Sequence, residues 1–479
     1  MNRRQFHKAL AAAPFAVPML NAQEYRHAPN HYRADWSSID RHQVPDWYSG
    51  AKLGIFIHWG LYSVPAWAPT TGEFGTIPRD EWFTRNPYAE WYLNSLRITG
   101  SPTYEHHIKT YGKNFDYYQF ATAFNEGSAK WNPDDWAKLF HRTGARYAVL
   151  TTKHHDGFRL FPSKVANPKR PTAAITANRD IAGDLTSAVR STGMKMGLYY
   201  SGGLDWTFTT EPIRTGPDLM ARVPQSEEYA RYADAHWNEL IDRYQPAVLW
   251  NDISYPKLGR VPEIFSHYYN TVPDGVIDNR FGVEFADFTT PEYAKYDKIT
   301  EKKWEACRGL GFSFGYNRIE GPEQVIAPDK LIELLVDIVS KNGNLLLNIG
   351  PKHDGTISEI QLDRLNKLSD WMAVNGEGIH DTRPWVRSTA SDTGAPEVRF
   401  TRKAGAVYAF LFNRPSSNTF TIPDVIAGPE TTVRVLGAST DCEWKQNGRN
   451  LEVSSREPLS GSYALGVRLS PEPWQVVRD

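Results

Sequence analysis

The chain repeats one design: a helix-patterned stretch, then a short, uniformly apolar run that stops abruptly on aromatic, amide or charged residues. Tyr147-Ala148-Val149-Leu150 runs into Thr151-Thr152-Lys153-His154-His155-Asp156. Met194 to Tyr200 runs into Ser201-Gly202-Gly203-Leu204-Asp205-Trp206, and Ala247-Val248-Leu249 into Trp250-Asn251-Asp252. Short runs without period-two alternation are strands apolar on both faces, as in a parallel sheet covered by helices. The intervening helices are equally legible. Asn132 caps one, Pro133 suits its first position, Asp134 and Asp135 face the positive end of its dipole, and Gly144 closes it. Asp184 to Thr192 reads as a second, closed by Gly193. Ser226 caps a third that carries Tyr229, Ala233, Trp237, Leu240, Ile241 and Tyr244 on one side. Three consecutive helix–strand units with polar groups at the strand ends point to an α/β fold, a (β/α)8-like TIM barrel with its chemistry on the carboxyl rim.

The rest of the chain extends this plan. Lys52 to Gly60 supplies a first strand ending on His58 and Trp59. Residues 61–125 then form a long excursion containing Tyr88-Ala89-Glu90-Trp91-Tyr92, and a loop of that length is usually functional. Gly275 to Arg280, Lys302 to Arg308 and Asn344 to Pro351 are later strands, and the last amphipathic helix runs from Ser358 to near Asn375-Gly376. From about Val386 the grammar changes to short alternating runs separated by Gly, Asn and Pro turns, which spell an antiparallel β-sandwich. A length of 479 residues exceeds one core. The expected division is a barrel over 36–380 and a sandwich over 386–479. Residues 1–22, with Arg3-Arg4-Gln5-Phe6-His7-Lys8 ahead of the weakly apolar Ala9 to Leu20, resemble a twin-arginine signal peptide and imply a periplasmic or secreted protein.

Charge and motif content narrow the function. With 54 Lys plus Arg against 55 Asp plus Glu, the net charge is −1, which argues against nucleic acid and membrane surfaces as partners. No apolar run approaches the ~20 residues of a spanning helix. A homo-oligomer is left open. His154, His155 and Asp156 are adjacent, but no H-x-H or H-E-x-x-H spacing supports chelation, so neither a metal nor a cofactor is expected. The absence of G-x-S-x-G argues against a serine nucleophile. Paired carboxylates fit better, because cleaving a glycosidic bond needs one ionised acid and one proton donor among rings and hydrogen-bonding groups. Asp252 supplies the first, and Glu284, Glu292, Glu301 and Glu305 are candidates for the second. Aromatic residues, 13% of the chain, suit the faces of sugars. A non-catalytic sugar-binding protein would share the rings but has no need of Asp252. A metal-dependent hydrolase, the other rival, would lose activity with a chelator.

Five stretches carry a resemblance: Ile55 to Pro65, Ala89-Glu90-Trp91-Tyr92, Thr152 to Phe158, Leu249-Trp250-Asn251-Asp252 and Phe312-Ser313-Phe314-Gly315-Tyr316-Asn317. They resemble the α-L-fucosidases of glycoside hydrolase family twenty-nine from about Trp36 onward, most specifically in the barrel. The resemblance implies a retaining exo-glycosidase that hydrolyses terminal α-L-fucosyl linkages of oligosaccharides or glycoconjugates through a covalent intermediate on Asp252. It implies that His58, Glu90, Trp91, His154, His155 and Tyr199, with Arg280 beside them, hold the sugar hydroxyls. Phe56, Trp250 and Phe314 then wall the C6 methyl, where an apolar pocket leaves the hydroxyl of a galactose-type sugar unpaired. The resemblance makes the glutamate of Thr290-Pro291-Glu292-Tyr293, expected on the loop after the fifth strand, the acid/base; its rival Glu305 is expected on a barrel strand, paired with a neighbour such as Arg308 or with an inward-facing group. Linkage and aglycone preference are not legible.

Overall fold

A computed structural model describes residues 31–391, 397–459 and 461–474. The expected signal segment lies outside these residues. Seven strands form one parallel sheet: β1 (Leu53–Ile57), β2 (Tyr147–Lys153), β3 (Lys195–Tyr200), β4 (Val248–Asn251), β5 (Val276–Ile277), β6 (Trp304–Gly309) and β7 (Gly343–Ile349). Their spatial order is β5-β4-β3-β2-β1-β7-β6. Every residue of β1, β2 and β7 is buried, which is why these strands show no alternation in sequence.

The gap between β5 and β6 is filled by an irregular eighth stave, residues 287–293. Asp278 bridges Phe288, Thr289 bridges Trp304 and Glu292 bridges Cys307, all in the parallel sense. The amides of Glu305 and Cys307 on β6 donate to the carbonyls of Thr289 (2.8 Å) and Pro291 (3.1 Å). This corrects the expectation for Glu292, which sits on a barrel stave and not on a free loop after the fifth strand. The broken pairing follows from Pro291, which has no N–H to give a ladder.

Helices α1 (Pro133–Arg142), α2 (Ile181–Ser191), α3 (Glu227–Tyr244), α4 (Val261–Thr271), α5 (Pro328–Ser340) and α6 (Glu359–Asn375) cover the barrel. Their starts follow the sequence chemistry: Asn132 accepts from Asp134 N (3.2 Å), and Ser226 accepts from Tyr229 N (3.2 Å). No helix among the described residues is long and apolar enough to cross a membrane. The excursion 61–125 is more ordered than an open loop, since it holds helices over Tyr92–Leu96, Pro102–Tyr111 and Phe120–Ser128. Ser101 accepting from Tyr104 N, with Pro102 at the first helical position, starts the second of these.

Beyond α6 come β8 (Arg383–Ala390), β9 (Val398–Lys403), β10 (Ala406–Leu411), β11 (Thr419–Ile422), β12 (Thr432–Val435), β13 (Glu443–Asn447), β14 (Asn450–Ser454) and β15 (Leu465–Ser470). They make a five-stranded sheet, β12-β15-β10-β9-β8, and a three-stranded one, β11-β14-β13, around their own apolar core. The sandwich docks on the barrel's helices. Trp371 Nε1 on α6 donates to Ala464 O (2.8 Å), and Arg399 on β9 pairs with the buried Asp337 on α5 (2.5 Å).

Candidate active site

The carboxyl ends of the strands converge on a cavity of about 810 Å³. Phe56, His58, Glu90, Trp91, His154, His155, Tyr199, Trp250, Asp252, Arg280, Glu292 and Phe314 all line it, whereas the other proton-donor candidates, Glu284, Glu301 and Glu305, do not.

Asp252 stands one residue past β4 and is 8% exposed. The parallel register sets Tyr199 on β3 beside Trp250 on β4, and the Tyr199 hydroxyl donates to Asp252 Oδ2 (2.8 Å). The chain then turns sharply through Ile253 and Ser254, both in the left-handed region (φ 53° and 68°), a conformation that costs residues other than glycine. Gly203 makes that turn possible, because a Cβ there would overlap the Ile253 carbonyl. Arg280, on a 3-10 turn after β5, donates from Nη1 to Asp252 Oδ1 (3.0 Å). Burial alone would raise the Asp252 carboxyl, but the Arg280 charge and the hydrogen bonds from Tyr199 and Arg280 outweigh it and hold it below the usual range. Asp252 is therefore a pre-ionised carboxylate fixed at both oxygens.

Glu292 shares the same cation. Arg280 Nη2 donates to its Oε2 (3.1 Å), Nε of Arg280 is anchored on Thr290 Oγ1 (2.8 Å), and the guanidinium lies over the Trp250 ring at 4.6 Å. The Tyr88 hydroxyl donates to Glu292 Oε1 (2.8 Å). One planar guanidinium thus ties together the ends of two staves.

His154 and His155 follow one another directly, yet both rings face the cavity, with centroids 4.0 Å apart. β2 ends at Lys153 and the chain turns at Gly157 (φ 79°), so strand alternation no longer applies. Behind this turn Lys153 and Asp205 form a wholly buried ion pair (2.9 Å), and Asp156 accepts from the Tyr117 hydroxyl (2.8 Å). Ser201 Oγ donates to Leu204 O (2.7 Å), so it accepts from His155 Nδ1–H (2.6 Å). That leaves His155 Nε2 as an acceptor, 3.8 Å from Asp252 Oδ2. His58 Nδ1 bonds Asn348 Oδ1 (2.6 Å). Burial pushes His58 down to about 3 and His155 to about 4, and lowers His154 as well, so all three are neutral near pH 7. Glu90, on a short 3-10 turn, accepts from Gly315 N (2.7 Å) and Ser313 Oγ (3.2 Å). Burial wins over those bonds and raises it to about 7.

Glu305 lies elsewhere. It is fully buried on β6, inside the barrel, and accepts from the hydroxyls of Tyr48 (2.8 Å) and Tyr147 (2.5 Å) and from Trp250 Nε1 (3.0 Å). Its partners are these inward-facing groups and not Arg308, which pairs with Glu73 (2.9 Å). Glu305 sets the Trp250 ring from behind the cavity wall.

The family model for α-L-fucosidase matches residues 19–377, and that for the α-L-fucosidase C-terminal domain matches residues 390–461. The chain belongs to the α-L-fucosidase family. Human tissue α-L-fucosidase is 32% identical over 443 residues, which cover 87% of this chain and 86% of that protein. A Thermotoga maritima α-fucosidase, solved with a mechanism-based inhibitor, is 44% identical with a TM-score of 0.83, covering 92% of this chain and all of that one. A Thermotoga maritima α-L-fucosynthase, bound to α-L-Fuc-(1-2)-β-L-Fuc-N3, is 46% identical with a TM-score of 0.86 and the same coverage.

Two residues that serve the site in this fucosidase escaped the sequence reading. Asn348, which orients His58, follows the three leucines of β7, and an amide ending that apolar run inside a buried strand was the available signal. Tyr88, the partner of Glu292, stands two residues before Glu90, but nothing local distinguishes its hydroxyl from those of neighbouring tyrosines.

Proposed function

We propose that this enzyme, a retaining α-L-fucosidase, releases terminal fucosyl residues from oligosaccharides or glycoconjugates by double displacement, with Asp252 as nucleophile and Glu292 as acid/base. The observation that carries the reading is the single Arg280 guanidinium joining both carboxylates inside a cavity of neutral imidazoles and aromatic walls. Asp252, held ionised, attacks the anomeric carbon while Glu292 delivers a proton to the departing oxygen. Forming the ester consumes the Asp252 charge, and Arg280 remains paired with Glu292, which then takes a proton from the water that attacks the anomeric carbon and breaks its bond to Asp252. His58, His154, His155 and Trp91 meet the sugar hydroxyls with neutral acceptors and donors, and the Glu90 carboxyl joins them. Phe56, Trp250 and Phe314 surround the methyl group. The rings of Phe56 and Trp250 lie 5.0 Å apart, and those of Phe56 and Phe314 6.4 Å apart.

Release of 4-nitrophenol from its α-L-fucoside, compared with the α-galactoside and the β-fucoside, tests the reading. Selective release from the α-L-fucoside is expected, and equal rates on the α-galactoside of the same L series, which differs only by a C6 hydroxyl, would overturn the methyl-pocket argument. The twin arginines at the start of the chain support export, and we place the working enzyme in the periplasm or outside the cell.

A further inference from the structure

The cavity is larger than the site just described. At about 810 Å³ it falls in the range of pockets that enclose ligands of several rings, and the fucosyl-binding residues line only its inner part. Its outer wall comes from two segments unused so far: residues 73–83 of the long excursion, with Phe74, Ile77 and Trp82, and the β3–α3 connection, with Pro217 and Leu219.

Ring geometry shows which side of the site this wall serves. Phe74 meets Trp82 edge-on at 5.0 Å and 84°, Trp82 meets Tyr88 edge-on at 5.0 Å and 87°, and Tyr88 donates to Glu292. The series therefore leads outward from the proton donor. A general acid must reach the departing oxygen, so the group attached to that oxygen lies along these rings. The segment is fastened in place: Glu73, next to Phe74, pairs with Arg308 at the end of β6, and Thr71 Oγ1 donates to Arg85 O (2.7 Å). Phe74 is nevertheless 41% exposed, and Leu219 is half-buried. Rigid apolar surface left open at the mouth of a cavity is surface kept for a ligand.

We infer that Phe74 and Leu219 form an aglycone subsite for leaving groups that present a flat apolar face, either an aryl ring or the C–H face of a pyranose. The inference rests on the fucosidase reading and deepens it by naming the substrate class. The test compares kcat/KM of Phe74→Ala, Leu219→Ala and the double variant on 4-nitrophenyl α-L-fucoside, on a fucosyl disaccharide and on α-L-fucosyl fluoride, whose leaving group is one atom. The expected result is a loss of roughly tenfold or more on the ring aglycones, with fluoride hydrolysis and fucose inhibition changed less than about twofold. Phe74→Tyr, which keeps the ring, should retain most of the activity and guards against a folding artefact. Loss confined to one of the two ring substrates supports the subsite and identifies the ring it takes. Equal losses on fluoride and ring substrates, or no loss on either ring substrate, would overturn it. A wild-type enzyme inactive on the fluoride would instead refute the fucosidase reading.

Discussion

Replacing Glu292 and Glu305 separately by alanine distinguishes chemistry from architecture. Glu305 receives three hydrogen bonds from neutral donors, the hydroxyls of Tyr48 and Tyr147 and the indole of Trp250, in a fully buried setting. Alanine would strand all three donors at about 1–3 kcal/mol each, a loss of roughly 3 kcal/mol or more before any cavity is counted. The Glu292 side chain is 21% exposed, the Tyr88 hydroxyl that it frees lines the cavity where water can satisfy it, and Arg280 without it still holds Asp252 and Thr290. Glu292→Ala should therefore melt close to the wild type. Its rate on substrates with poor leaving groups should fall by about 10²–10⁴, the worth of general acid catalysis. Aryl fucosides should lose less in the first step, and azide should restore turnover with fucosyl azide as product. Thermal melting, kcat/KM on the two substrate types and product analysis with azide make the assay. If Glu305→Ala melts like the wild type and shows azide rescue while Glu292→Ala does not, the roles are reversed.

Other outcomes follow from the same geometry. Asp252→Gly should remove nearly all hydrolysis without changing the fold, and a fluoro-fucosyl inactivator should label Asp252; peptide mapping to another residue refutes the nucleophile. Arg280→Met removes a cation that holds the Asp252 carboxyl down, so the acid limb of kcat/KM should move to higher pH, and an unmoved limb refutes that role. Glu90, raised by burial to about 7 from 4.5, keeps its proton longer in the folded state than in the unfolded one. Stability should therefore fall by about 3 kcal/mol as pH rises through that window, and Glu90→Gln should flatten the difference in melting between pH 5 and pH 8; an identical pH slope in both proteins refutes the shift. Changing Arg3 and Arg4 to Lys should leave active, unprocessed enzyme in the cytoplasm, and normal export on fractionation refutes the twin-arginine route.

The barrel was legible because its strands are apolar on both faces and end abruptly. What escaped were the elements without that pattern. β8 and β13 lie at the edges of their sheets, and β13, Glu443-Trp444-Lys445-Gln446-Asn447, has no buried residue. An edge strand facing water carries polar side chains and resembles the turns around it. The eighth stave was hidden for a related reason: Thr289-Thr290-Pro291 offers neither an apolar run nor an unbroken ladder of N–H groups, so its pairing with β6 is visible only in three dimensions.

The two proposed catalytic carboxylates differ in legibility for a reason rooted in their work. Asp252 terminates a regular strand, and the register of β4 with β3 fixes both its place and the Tyr199 hydroxyl upon it. A nucleophile has one target, the anomeric carbon, and gains from being immobile. Glu292 must serve a leaving oxygen and then a water, and its position depends on Arg280 and Tyr88, which come from separate parts of the chain. Its stave is tied to β6 by isolated bridges rather than a continuous ladder, while its side chain reaches the open part of the cavity. The sequence around Glu292 can therefore vary as long as those two partners hold the carboxylate. That is why the strand-end aspartate could be read from local pattern, whereas the glutamate could be chosen only through the family resemblance.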